Sequence, residues 1–318
     1  MVSPAEMDAV ITWVDGADPA HQTKRVAALA TSRGPLHENA VNPHRWGSAD
    51  ELALCLRALA NHAPWLRRIW IVTDAQTPDL STVPAALRAR IAVVDHAILF
   101  AGYEHHLPTF NSLAIETLLW RIPGLADQFV YFNDDVFLTA PLVPTDVFVG
   151  GAPVLRGSWA DLAALTADPD SRSDPARFHH HVQINAARMA GFAPHHMWAS
   201  AHVVHPMRRS RMARLFERHH AACLANLAHP FRNIAQFLPM GLYNHACIRS
   251  GTYALPVRRD HLHLHSNATT ESPLDEVRAT LRRATLPQTK FLCVNDLPQL
   301  ERAIPEARDW IERAIRAA

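Results

Sequence analysis

A pair of adjacent carboxylates, in Asn133-Asp134-Asp135, follows directly on the apolar run Phe129-Val130-Tyr131-Phe132. Two such groups can hold a hard cation, Mg2+ or Mn2+, against a diphosphate, because oxygen ligands suit it and it shares its shell with phosphate and water. The same three residues can also cap backbone N–H groups in a turn. Asp15 and Asp18, in Asp15-Gly16-Ala17-Asp18-Pro19, invite a parallel choice between ribose or metal contact and an Asx-turn. Arg45-Trp46 offers a guanidinium and an indole to a base or phosphate, or a salt bridge and a core ring. Glu116 sits among apolar neighbours, where an ionised carboxylate is costly without a partner. His202 and Arg232 have no decisive context, and the clusters at 178–185 (FHHHVQIN) and 261–265 (HLHLH) are weak metal signals on histidine content alone.

The elements that must position these groups have an α/β rhythm. Ala9 to Val14, Ile69 to Thr73, Ile91 to Val94 and Phe129 to Phe132 read as strands, each closed by acidic or amide residues. Nearly continuous apolar runs suit a sheet covered on both faces. Ser48 and Glu51 are spaced as a capping box ahead of a helix through Leu52, Leu56 and Leu59 that stops near His62, before Pro64. Asn111 and Ser112 can cap a second helix bearing Leu113, Ile115 and Glu116. In such sheets ligands bind beyond the carboxyl ends of the strands. The segment from Gly150 to about Phe192 has a turn-rich loop at Asp168 to Pro175 and is open to movement over a substrate site. Helices are expected over Arg208 to His219, Glu276 to Ala284 and Pro305 to Ala317, with a provisional boundary near residue 150 between a nucleotide-binding part and a helical part that completes the same site.

The 318 residues, 48% hydrophobic, suffice for one large α/β unit or two unequal ones. Lysine plus arginine (31) balance aspartate plus glutamate (30), so no long-range field draws the chain to nucleic acid. No apolar run reaches membrane-spanning length and the start lacks signal-peptide features, which leads to the expectation of a cytoplasmic protein without a transmembrane segment. The four cysteines, at 55, 223, 247 and 293, form no CxxC pair and read as reduced, buried thiols.

Read together, four ordered blocks resemble the stealth family of phosphotransferases, which includes bacterial capsular polysaccharide enzymes and the animal N-acetylglucosamine-1-phosphotransferase. They are DAVITWVDGADP at 8–19; Arg45 to Leu138, with RWGSADEL, LPTFNSLAIE and FVYFNDDVFL; Ala201 to Gly251; and KFLCVNDL at 290–297. The resemblance implies a glycosyltransferase-A-like, Rossmann-like mixed sheet flanked by helices. It implies essential roles for Glu116, Asp135, His202 and Arg232, with His205 as the other candidate for the histidine. It implies Mg2+ or Mn2+ held by Asp134, Asp135 and either or both of Asn295 and Asp296, and a UDP-sugar contacted by Asp15, Gly16, Arg45, Ser48, Asn111 and Ser112. The implied reaction moves a sugar 1-phosphate, N-acetylglucosamine 1-phosphate foremost, onto a glycan hydroxyl with release of UMP. Capsule or another cell-surface glycan is the implied acceptor, with peripheral association at the membrane assembly machinery. A conventional glycosyltransferase releasing UDP and a non-catalytic glycan-binding protein are the rival readings.

Overall fold

The computed structural model describes residues 7–32, 36–42, 46–47 and 50–316. Arg45 and Ser48, two of the expected nucleotide contacts, lie outside the described residues. The strands that build the site are β1 (Met7–Thr12), β2 (Ile69–Thr73), β3 (Ile91–Asp95), β4 (Gln128–Asn133), β5 (Val136–Leu138), β6 (Gly157–Ala160), β7 (Met197–Ser200), β8 (His205–Arg208), β9 (His261–Leu264) and β10 (Phe291–Val294). A five-stranded sheet runs in the order β8, β4, β1, β2, β3, with β8 antiparallel to β4 and the other pairs parallel. A second sheet sets β9 parallel to β10, and β10 antiparallel to β5. This is the mixed α/β sheet flanked by helices that the sequence implies.

Its helices include α1 (Pro19–Thr31), α2 (Glu51–His62), α3 (Ser112–Thr117), α4 (Phe178–Met189), α5 (Arg209–Arg218), α6 (Pro239–Arg249), α7 (Leu274–Ala284) and α8 (Ala307–Ala314). Because side chains alternate along a strand, β1 sends Ala9 and Ile11 into one core and Val10 into the other. The first core is closed by α2, α7 and α8, the second by α3, α4 and α6. Both faces are thus dry, which explains the uninterrupted apolar runs.

Asp50 directly precedes α2 in a left-handed conformation with φ 61° and no side-chain cap; Ser48, the expected capping residue, lies outside the described residues, and Glu51 is buried. The segment from 150 to 192 keeps an irregular stretch with a 3-10 turn at 168–175, where the sequence places a loop, and is regular over much of the rest. It carries β6 and α4, and α4 packs through Phe178, Val182 and Ala186. Its three histidines at the start hid an apolar face with helical spacing. The antiparallel β8 and the long α6, neither anticipated, complete the second core.

All four parallel strands end on one edge, with Thr12 opposite Asn133 and Val72, and Thr73 opposite Asp95. The second sheet meets this edge at Asp135, whose carbonyl accepts from Val294 N–H (3.0 Å). Asn295, next in the chain, donates its N–H to the Leu264 carbonyl at 2.9 Å. The seam between the sheets therefore gathers the ends of β4, β9 and β10. Among the described residues no helix is long and apolar enough to cross a membrane.

Candidate active site

A cavity of about 1460 Å3 opens at this seam. Its lining includes Glu116, Asp134, Asp135, His202, Arg232, Asn295 and Asp296, together with Asn111 and Ser112, so residues from distant parts of the chain face one space. Asp15 does not line it. Its Oδ1 accepts from Ala17 N–H at 2.8 Å, the Asx-turn, and its backbone pairs with the Gln76 amide in both directions at 2.8 Å. Gly16 presses on the Trp46 backbone, where a Cβ would lie 2.4 Å from the carbonyl oxygen, so only glycine fits this approach. Asp18 caps α1 through His21 N–H at 2.7 Å.

Asn111 caps α3 through Leu113 N–H (3.1 Å) and donates to the His229 carbonyl (2.8 Å) and to Gln236 (2.9 Å). Its amide is thereby consumed in fastening the 229–236 segment, which carries Arg232, against the start of α3. It is an anchor for the site, whose cavity it also lines. Ser112, beside it, accepts from Arg232 Nη2 at 2.9 Å.

Glu116 is buried on α3, and burial pushes its carboxyl up to about 7 against the opposing pull of Arg232, Tyr131 and Ser112. The Tyr131 hydroxyl lies 3.1 Å from Glu116 Oε1, 2.7 Å from Asn133 Oδ1 and 2.9 Å from Thr12 Oγ1. One phenolic proton serves two acceptors, so the group is fully satisfied only when another proton sits on Glu116. Glu116 Oε2 is buried and has no hydrogen-bond partner among the described residues.

Asp134 and Asp135 follow β4. Burial raises both, Asp134 well above its ordinary range and Asp135 to about 6, and neighbouring carboxylates, Glu51 among them, add to the effect. Asn295 Nδ2 donates to Asp135 Oδ2 at 2.6 Å, and Asn295 Oδ1 faces His263 Nε2 at 2.7 Å. Since a carboxylate only accepts, the amide orientation is fixed and His263 carries its proton on Nε2. The His263 ring stacks on His202 (4.4 Å between centroids, 18°), and His202 meets His179 at 4.3 Å. Burial, then His179 and His263, hold His202 well below its ordinary value, so it is a neutral base at pH 7. His205 is half-buried, and desolvation depresses it to about 4, with its ring 6.5 Å from Tyr131.

Three carboxylates crowd the seam, and burial holds the pKa values of two of them up, which is the environment a divalent cation relieves. Asp134 and Asp135 fit that task. Asn295 turns its NH2 to Asp135 and so positions a ligand more than it provides one, while Asp296 Oδ1 caps the next helix through Gln299 N–H at 3.1 Å. The sequence reading did not assign His179, His263, Cys293, Tyr131 or Glu51 to the site. HLHLH and FHHH marked two of these positions, but nothing in their spacing showed that the second sheet and α4 bring them to Asp135.

A mixed, mainly parallel sheet with a polar cavity beyond its strand ends is the arrangement in which open α/β sheets bind ligands. Residues 6–33 match conserved region 1 of the Stealth proteins and residues 45–153 match conserved region 2, and the chain belongs to the Stealth family. It is 45% identical over 169 residues to an exopolysaccharide phosphotransferase of Streptomyces coelicolor, covering 53% of this chain and 27% of that protein. It is 37% identical over 147 residues to the receptor polysaccharide phosphotransferase WefC of Streptococcus oralis, covering 45% of this chain and 41% of that one. The matched stretch thus spans between about a quarter and two fifths of these relatives' own length. Among solved structures, the galactosyltransferase LgtC aligns with 15% identity over 97% of this chain and 95% of that chain, with a TM-score of 0.46.

Proposed function

We propose that the chain transfers a hexose(amine) 1-phosphate, N-acetylglucosamine 1-phosphate foremost, from a UDP-sugar to a carbohydrate hydroxyl in the synthesis of a capsular or other cell-surface polysaccharide. The observation that carries this reading is the position of Arg232. It lines one cavity with Glu116, Asp135 and His202, all from distant segments, and its half-buried guanidinium acts electrostatically on all three. The names of the relatives, exopolysaccharide and polysaccharide phosphotransferases, support the same class.

In this mechanism the acceptor oxygen attacks the β-phosphorus, the bond from that phosphorus to the bridging oxygen breaks, and UMP leaves. His202, neutral and within the cavity, takes the hydroxyl proton. Arg232 clamps the phosphoryl oxygens and is aimed by Ser112. Glu116 balances Arg232 and holds Tyr131. Asp134 and Asp135 hold Mg2+ or Mn2+, which supplies charge neutralisation on the diphosphate when bound. Trp46 and Phe110, beside the cavity mouth near β1, offer flat surfaces for a base.

Incubation of the protein with UDP-N-acetylglucosamine, Mg2+ and a glycan acceptor is expected to release UMP and to form a phosphodiester. Release of UDP with a new glycosidic bond would place the chain with the glycosyltransferases, and acceptor binding without turnover would make it a glycan-binding protein.

A further inference from the structure

Beside the hard carboxylate pair lies a different set of donors. One nitrogen each of His202 and His263 and the Sγ of Cys293 lie within 4.8 Å of one another. Cys293 stands directly opposite His263 in the parallel pairing of β9 with β10, so the backbone register fixes two of the three. Asn295 holds His263 from outside, as second-shell carbonyls hold metal-bound imidazoles. His202 makes no hydrogen bond among the described residues, so its ring can turn out of the stack to present a lone pair. Asp135 Oδ1 lies 3.8 Å from Cys293 Sγ, so this cluster borders the carboxylate pair.

We propose that His202, His263 and Cys293 form a site for a borderline transition ion of the Zn2+ type, and that its occupation inhibits the enzyme by withdrawing His202. Two imidazoles and a sulfur are the donors that Zn2+, Co2+ and their neighbours select and that Mg2+ avoids. A tetrahedral ion needs its nitrogen and sulfur ligands roughly 3.3–3.8 Å apart, so closing the cluster calls for a shift of about 1 Å. Turning one imidazole supplies this. The hard site on Asp134 and Asp135 and the soft site share a wall, so the cell's Mg2+ would not compete for the sulfur. The inhibitory half rests on the proposed role of His202; the binding half stands without it.

The test titrates the full chain with Co2+ in excess Mg2+. One equivalent is expected to give a thiolate-to-cobalt charge-transfer band and the visible bands of a tetrahedral ion, both removed by Zn2+. Cys293→Ser is expected to abolish the charge-transfer band, and both it and His263→Gln to weaken binding by more than about tenfold. His105→Gln, at an exposed histidine on the far edge, leaves the titration unchanged. If Cys293→Ser fails to fold by circular dichroism, His202→Gln provides the same comparison at a partly exposed position. No charge-transfer band in the wild type, or a band that survives Cys293→Ser, overturns the site. Full UMP release at one equivalent of Zn2+ overturns the inhibition alone. No UMP release with Mg2+ alone counts against the proposed function and leaves the metal site standing.

Discussion

The carboxylates at the strand ends of this protein fall into two groups that look alike in sequence and differ in the fold. At the β1, β2 and β3 ends, Asp15 forms its own turn, Asp74 accepts from His21 (3.0 Å) and Lys24 (2.9 Å), and Asp95 caps the following turn through Ala97 N–H (2.7 Å). Burial alone would raise Asp74, yet the bonds from His21 and Lys24 hold it at about 2. At the seam below β4 the reverse holds. Asp134 and Asp135 are pushed up, Glu116 has one oxygen without a hydrogen-bond partner among the described residues, and His202 stands in a ring stack. Where the chain satisfies its carboxylates they maintain structure; where it leaves them wanting, a ligand or cation has to complete the arrangement.

The sharpest way to break this comparison is to neutralise one carboxylate from each group. Asp135→Asn is expected to lower kcat by about 1000-fold with little change in melting temperature, as for loss of charge stabilisation at a reacting phosphoryl group. Asp74→Asn is expected to change kcat by less than about fivefold. Equal losses of activity in the two would erase the distinction. Arg232→Lys follows with a loss of about 100-fold, because a point charge replaces the fork that reaches Ser112 and the phosphoryl oxygens.

Stability provides the smaller effects, and the two groups are expected to respond to pH in opposite senses. Glu116 titrates near 7 in the fold against an ordinary 4.5, so its contribution is complete below 4.5 and is lost as pH rises through 7. Glu116→Gln should therefore match the wild type in urea unfolding at pH 5 and exceed it by on the order of 2 kcal/mol at pH 8.5. Asp74, depressed to about 2 from 3.8, contributes above its ordinary value and loses that contribution as pH falls through 2. Asp74→Asn should cost about 2 kcal/mol at pH 7 and much less at pH 2.5, read from the same unfolding curves.

Most of the first sheet was legible from residues alone. Ile69–Thr73 is strand throughout and the helix through Leu52, Leu56 and Leu59 ends at His62, because buried parallel strands and amphipathic helices leave periodic signatures. The second sheet was not. HLHL and FLCV are four residues each, too short for a period to declare itself, and their partner, Val136–Leu138, follows the acidic turn that drew attention for other reasons. The site was legible in part for the same cause. Glu116, Asp135, His202 and Arg232 came from resemblance and do line one cavity, whereas His263 and Cys293 reach it only through the β9–β10 register. Asn111 was legible as a helix cap, whereas its bonds to His229 and Gln236 depend on tertiary packing that no local pattern shows.

The central claim is that the unsatisfied seam, and not the satisfied edge, receives the phosphoryl group. A crystal structure with a non-hydrolysable UDP-sugar and Mg2+ tests it directly. The diphosphate is expected between Arg232 and the Asp134-Asp135 pair, with the sugar toward His202. A diphosphate seated instead against Lys24 and His21 at the Asp74 edge would contradict the account.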